Sequence, residues 1–114
     1  MSESIKSNHD FRVVYNKGKS YANKYLVMYV YKNNQNRNRI GISVSKKVGN
    51  SVVRHRVTRL IRESFRLNED IFINGLDIIV VARPGAKGKS YSEICNALIH
   101  LGKIHKILKE MMMS

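Results

Sequence analysis

Acidic side chains are scarce in this sequence. Eight Asp and Glu stand against 21 Lys and Arg, leaving a formal net charge of +13 and a pI near 10.2. A surface this one-sided repels itself, and a polyanion relieves the repulsion. Nucleic acid is therefore the leading partner and an anionic membrane the second. Tryptophan is absent, and the aromatic set is six Tyr and three Phe. Cys95 is the lone cysteine, which excludes an internal disulfide and suits a reducing cytoplasm. His9, His55, His100 and His105 are scattered without zinc-ligand spacing, so no metal site is expected. The few carboxylates form no obvious acid–base pair for a protein nuclease. No apolar run approaches the roughly 18 residues of a membrane span. Met1 to Lys6 hold no apolar stretch of the kind that directs export.

What is present reads as one compact domain: 114 residues, 43% of them hydrophobic, without internal repeats. Residues 1–7 are expected to be flexible. Ser7 or Asn8 can cap a helix running to about Asn16 and ended by Gly18, with Phe11 and Tyr15 on one face. From Ser20 to Lys32 the pattern has period two and predicts a strand. Ala22, Lys24, Leu26, Met28 and Val30 share one parity; Tyr21, Tyr25, Val27, Tyr29 and Tyr31 share the other. Arg39 to Ser45 predicts a second strand, with Ile40, Ile42 and Val44 toward the core. Leu76 to Ala82, nearly all apolar, reads as a buried central strand. A last helix is expected over Tyr91–Glu110, with its core stripe at Ile94, Ala97, Leu98, Leu101, Ile104 and Leu108. His105 lies near that stripe and reads as a packed histidine. Helix, strands, helix, strand and helix together indicate an α+β fold, one sheet packed by helices.

The strongest signal lies in Val52 to Leu67, a predicted helix. At about 100° per residue, Val53, Val57, Leu60, Ile61, Ser64 and Leu67 fall on one side. His55, Arg59, Arg62 and Arg66 form a stripe almost opposite, flanked by Arg54 and Arg56. Glu63 is the only acid in the segment, so the arginines are not expected to be laced into intrahelical pairs. Solvated helix faces normally mix charge signs. Guanidinium groups bind phosphate through two hydrogen bonds and stack on bases, so this face points to RNA. Single-stranded RNA is commonly held by a basic groove with aromatic platforms. Phe11, Tyr15, Tyr29 and Tyr31 could supply these; the alternative is that Phe11 and Tyr15 pack in the core.

The segment from Gly41-Ile42-Ser43-Val44-Ser45-Lys46-Lys47-Val48-Gly49-Asn50 through Arg54-His55-Arg56 to Arg62-Glu63 resembles the signature of the protein component of bacterial ribonuclease P. The likeness extends to Asp10-Phe11, Tyr15, Ser20-Tyr21-Ala22-Asn23 and Asp77-Ile78-Ile79-Val80-Val81-Ala82-Arg83. It implies a single four-stranded sheet in the order αβββαβα, similar to the ribosomal protein S5 domain 2-like fold with a left-handed βαβ crossover. It also implies an accessory subunit of an RNA-based endoribonuclease. In that family the RNA subunit is catalytic and uses Mg²⁺, while the protein binds that RNA and the 5′ leader of precursor tRNA. By this resemblance Lys46, Lys47, Arg54, His55, Arg56, Arg59 and Arg62 contact the RNA subunit; Arg66 joins them as part of the stripe. Phe11, Tyr15 and Tyr29 line the leader cleft, and Tyr31 shares the Tyr29 face. Two positions depart from the family pattern: His55 stands where Asn is usual and Thr58 where a basic residue is usual.

Two rivals remain. Arg83-Pro84-Gly85-Ala86-Lys87-Gly88-Lys89-Ser90 sits between a strand and a helix as a phosphate-binding P-loop would. Its first glycine is replaced by Arg83, and Pro84 removes an amide, so a basic loop is the better account. A ribosomal or other structural RNA-binding protein would share the charge but not the Gly41–Glu63 signature.

Overall fold

A computed structural model describes residues 2–109. The elements are β1 (Glu3–Ser4), α1 (Asn8–Lys17), β2 (Lys19–Ala22), β3 (Leu26–Lys32), β4 (Arg39–Ser43), α2 (Ser51–Asn68), β5 (Leu76–Ala82) and α3 (Tyr91–His105), with short 3-10 turns at Glu69–Ile71 and Pro84–Ala86. They build one mixed sheet in the order β1-β4-β5-β3-β2. β4 runs parallel to β5 and β1 parallel to β4, while β3 is antiparallel to both β5 and β2. The sheet has five strands rather than four. The additional one comes from the segment read as flexible: Glu3 and Ser4 lie beside Arg39 and Ile40, and Ile5 is buried.

Ser20–Lys32 is two strands and not one. Asn23 breaks it, because its side-chain oxygen accepts from the Tyr25 and Leu26 N–H groups at 3.2 and 3.0 Å. This local alternative to ladder pairing folds the chain into a hairpin. The reversal redistributes the tyrosines. Tyr21 pairs across from Met28, so it lies on the same side of the sheet as the core. There its ring meets His105 edge-on, with centroids 4.8 Å apart. Tyr25 also packs against that core. Tyr29 and Tyr31 alone of the four pack on the opposite face.

The main core lies between the sheet and the α2/α3 layer, where Leu26, Met28, Ile78, Val80, Val57, Ile61, Ile94, Leu98 and Leu101 are all inaccessible to solvent. The other face carries a smaller cluster of Ile5, Val14 and Ile79 with Phe11, Tyr29, Tyr31 and Val81 under α1. α1 starts at Ser7, whose hydroxyl accepts from the Asp10 N–H at 3.0 Å. It ends at Gly18, where a Cβ would lie 2.6 Å from the Val14 carbonyl oxygen and 2.9 Å from that of Val30.

α2 departs from the expected apolar side at its end: Phe65 is buried and Leu67 exposed. On a 100° wheel Phe65 lies about 60° from the midline between Val57 and Ile61 and Leu67 about 100° away on the other side. Phe72 decides between them, its ring 5.4 Å from that of Phe65. α3 stops at His105, short of the expected Glu110, which lies outside the described residues. Lys106 takes the left-handed conformation at φ 60°, and the Ile107 N–H returns to the Gly102 carbonyl. Leu108 still joins the core, through a bridge to Phe72.

His105 is packed as expected: its Nε2 donates to the Met28 carbonyl at 2.9 Å. Burial holds the imidazole below its ordinary value, opposed by that hydrogen bond and reinforced by Lys19. The unfolded chain therefore takes up this proton first as pH falls. The stability contributed by neutral His105 is present above about 6.5 and is lost as pH falls through that value toward the folded pKa. Depressed carboxyl groups such as Asp10 act in a lower window, so the stability measured by denaturant unfolding should fall from pH 7 to 5.5. That slope should be shallower in His105→Gln, and equal slopes would contradict the assignment.

Candidate nucleic-acid interface

Asn50 starts α2, its side-chain oxygen accepting from the Val53 N–H at 3.0 Å. The first turn contains no acid, and Arg54, His55 and Arg56 follow immediately. Cations near a helix N-terminus oppose the macrodipole, so this placement works against helix stability and favours an anion. His55, Arg56, Arg59, Arg62 and Arg66 are exposed, as are Lys46 and Lys47 in the turn before the helix. That turn is anchored by the buried Val48, whose N–H donates to the Ser45 carbonyl. Arg54 is half-buried, and its Nε is buried without a hydrogen-bond partner among the described residues. One expectation fails here: Arg66 does form an intrahelical pair with Glu63, its Nε donating at 3.1 Å. Both partners are solvent-exposed, so the pair contributes little and is easily exchanged for phosphate. Among the described residues, Lys46, Lys47, Arg54, Arg56, Arg59 and Arg62 pair with no carboxylate.

The aromatic residues gather on the opposite face, between α1 and the sheet. The Phe11 and Tyr15 rings stand 6.2 Å apart, and Tyr15 meets Tyr29 edge-on at 4.8 Å. Tyr15 is 36% exposed, while Phe11, Tyr29 and Tyr31 are half-buried on the cluster beneath. Phe11 and Tyr15 are thus neither wholly core nor free platforms: one edge of the group packs and the other faces solvent. Burial raises the Tyr15 phenol above its ordinary value, with a Ser43 hydrogen bond opposing, so it stays a neutral hydroxyl. Gly41 lets Phe11 lie flat on the sheet, since a Cβ there would fall 2.8 Å from the ring. A cavity of about 400 Å³ opens at the β4 edge and brings Phe11 together with Arg62 and Arg66, besides Phe65, Ile40 and Ile42. The groove and the cationic helix therefore communicate around one edge of the sheet.

Sequence reasoning missed the group that sets the groove's width. Arg39 donates from Nε and from its terminal nitrogen to the buried Asp77 at 2.9 and 2.6 Å. Its other terminal nitrogen donates to Asp10 on α1 at 3.0 Å. Asn33 also donates to Asp77, at 2.8 Å. The Asp77 hydrogen bonds are the main cause that raises the Arg39 pKa, and Arg39 in turn holds the Asp10 carboxyl below its ordinary range. One guanidinium fork thus ties α1 to two central strands. The signal was in the sequence as a basic residue opening a strand and an acid within an apolar one, but neither reveals its partner.

A mixed sheet with a cationic helix on one face and an aromatic groove on the other defines a small basic α+β protein of the RNA-binding class. The Ribonuclease P family model matches residues 1–106. The ribonuclease P protein component of Lachnoclostridium phytofermentans is 68% identical over 108 residues, 95% of this chain and 93% of that one. The Staphylococcus aureus RNase P protein structure superposes with a TM-score of 0.87 at 42% identity, covering 96% of this chain and 100% of that one. A second S. aureus structure, described as a mutant with defective mRNA degradation activity, gives 0.85 at 44% identity over 91% and 88% of the two chains. The chain belongs to the ribonuclease P family, as a protein component. Members are subunits of the endoribonuclease that forms tRNA 5′ ends.

The Arg39 fork carries a testable consequence. Arg39→Ala leaves the buried Asp77 carboxylate short of its main partner, and breaking such a pair costs about 3 kcal/mol. Arg39→Lys should recover only part of the loss, because an ammonium cannot reproduce the fork. Denaturant unfolding checks both; a loss below about 1 kcal/mol for Arg39→Ala would remove the fork from this role.

Proposed function

We propose that this chain is a single RNA-binding domain that works in the cytoplasm as the accessory, non-catalytic subunit of ribonuclease P. Lys46, Lys47, Arg54, His55, Arg56, Arg59, Arg62 and Arg66 dock it on the catalytic RNA subunit. Phe11, Tyr15, Tyr29 and Tyr31 hold the 5′ leader of precursor tRNA. It carries with it the left-handed β4–α2–β5 crossover of the S5 domain 2-like fold. The observation that carries the reading is the division of the surface: cations along α2 on one face, all but Arg66 without a carboxylate partner among the described residues, and half-exposed aromatic rings on the other. Two RNA strands can then be held at once, and the leader is present in substrate and absent from product. Mg²⁺ bound to the RNA subunit supplies the hydrolytic chemistry. His55 can donate a hydrogen bond or stack where Asn is usual.

One observation favours a second reading. The S. aureus variant described as defective in mRNA degradation raises a nuclease activity residing in the protein itself. The second arm of the test below separates that reading from the accessory one.

The test has two arms. In the first, Arg59→Ala/Arg62→Ala should weaken RNA-subunit binding and flatten the plot of log affinity against log salt by about 2, about one per lost phosphate contact. Thermal unfolding should be nearly unchanged, because both side chains lie opposite the core face. An unchanged slope would sink the docking assignment. In the second arm, RNA-free protein is incubated with precursor tRNA and with mRNA at millimolar Mg²⁺. No cleavage is expected; cleavage that copurifies with the chain would establish the second reading.

A further inference from the structure

An acid works against a surface that is to hold a polyanion, yet Asp10 stands next to Phe11 in the first turn of α1. Among the described residues it forms the one ion pair between α1 and the sheet, with Arg39 at 3.0 Å. Arg39 is shared with the buried Asp77, to which it donates at 2.9 and 2.6 Å. One guanidinium against two carboxylates leaves the group net negative. Its charge therefore opposes an anionic strand, and only a contact worth more than that repulsion makes Asp10 useful to RNA binding.

The groove face of the sheet is laid out in rows across three strands. Tyr31, Asp77 and Arg39 stand opposite one another on β3, β5 and β4. Tyr29, Ile79 and Gly41 form the next row on that face, about 7 Å along the strands. Asp10 is bonded to the first row, and Phe11 rests on the second at Gly41, beside Ile79. Neighbouring residues of one helix thus meet neighbouring rows, which fixes how far α1 slides along the strands and how it is rolled about its axis. The last turn of α1 is held separately, since Gly18 lies against the Val14 and Val30 carbonyls and Lys19 begins β2. The chain before α1 is held through the backbone, the Ile5 N–H donating to the Ile40 carbonyl at 2.9 Å. The roll of the first turn is left to Asp10 and to the Phe11 contact itself.

We propose that Asp10 is a positioning residue for leader capture: through Arg39 it holds the first turn of α1 so that Phe11 is presented beside Tyr15 and Tyr29. The inference rests on the reading of the aromatic groove as the leader site. It has a consequence opposite in sign to simple electrostatics, because removing this acid weakens the hold on a polyanion instead of strengthening it.

The test measures holoenzyme affinity for a long-leader precursor tRNA and for mature tRNA, using Asp10→Ala, Asp10→Asn, Phe11→Ala and Asp10→Ala/Phe11→Ala. Asp10→Ala should weaken precursor binding about tenfold. Asp10→Asn keeps an oxygen for Arg39 to donate to and should weaken it less. Affinity for mature tRNA should not change. In the Phe11→Ala background, Asp10→Ala should have almost no further effect, because the ring it positions is gone. Unchanged or tighter precursor binding by Asp10→Ala, while Phe11→Ala weakens it, would overturn the proposal and leave the groove reading standing. Equal losses for precursor and mature tRNA, or losses that add in the double variant, would overturn it too. If Phe11→Ala leaves precursor affinity unchanged, the groove reading itself fails and the proposal with it.

Discussion

Charge imbalance is the constraint on which the rest of the structure depends. With so few acids, each carboxylate that joins a tie inside the fold is unavailable to neutralise the surface. Asp77 and Asp10 hold Arg39, Glu3 pairs with Arg37, Glu93 caps α3, and Glu69 accepts from the Ser2 N–H. Among the described residues only Glu63 is spent on the cationic stripe, and on an exposed arginine. The α2 cations are left to repel one another, with Arg54, His55 and Arg56 toward the helix end whose dipole disfavours them. The fold tolerates this because α2 is held by packing, through Val57, Ile61 and Phe65, rather than by its surface charges. Counterion release on RNA binding then gives the free energy back.

The same economy places two surfaces back to back. β5 is buried on both faces, Ile78 and Val80 toward the α2/α3 layer and Ile79 toward α1. This strand is the partition between the cationic helix and the aromatic groove. Arg39 sets α1 against it through Asp10 and Asp77, so the groove is defined by a rigid element rather than a loop, as the proposed hold on a single-stranded leader requires.

Strong periodicity made α2 and the start of α3 legible in the sequence, a nearly unbroken apolar run did the same for β5, and the one-sided charge made the class of partner legible. Four features were not. Asn23 breaks a strand without glycine or proline beside it, and the alternation simply runs through Lys24 to Leu26, so the tyrosines were all assigned to one face. β1 is two polar residues whose pairing depends on the β4 edge being open. The arrangement around Arg39 joins positions distant in the chain, which local pattern cannot reveal. Lys106 closed α3 early for a similar reason: the pairing of residues 107–109 with residues 71–73 outweighed a helical pattern that continued to Leu108.

The central claim is that the aromatic groove reads the leader. The direct measurement compares wild-type and Tyr29→Ala holoenzyme affinities for precursor tRNAs whose leaders lengthen one nucleotide at a time from none. Loss of one stacked base is worth about 1–3 kcal/mol. The account therefore predicts a loss of about one to two orders of magnitude once the leader reaches the groove, and almost none for mature tRNA. Equal losses with and without a leader would show that Tyr29 supports the fold or the docking surface, and would contradict the account.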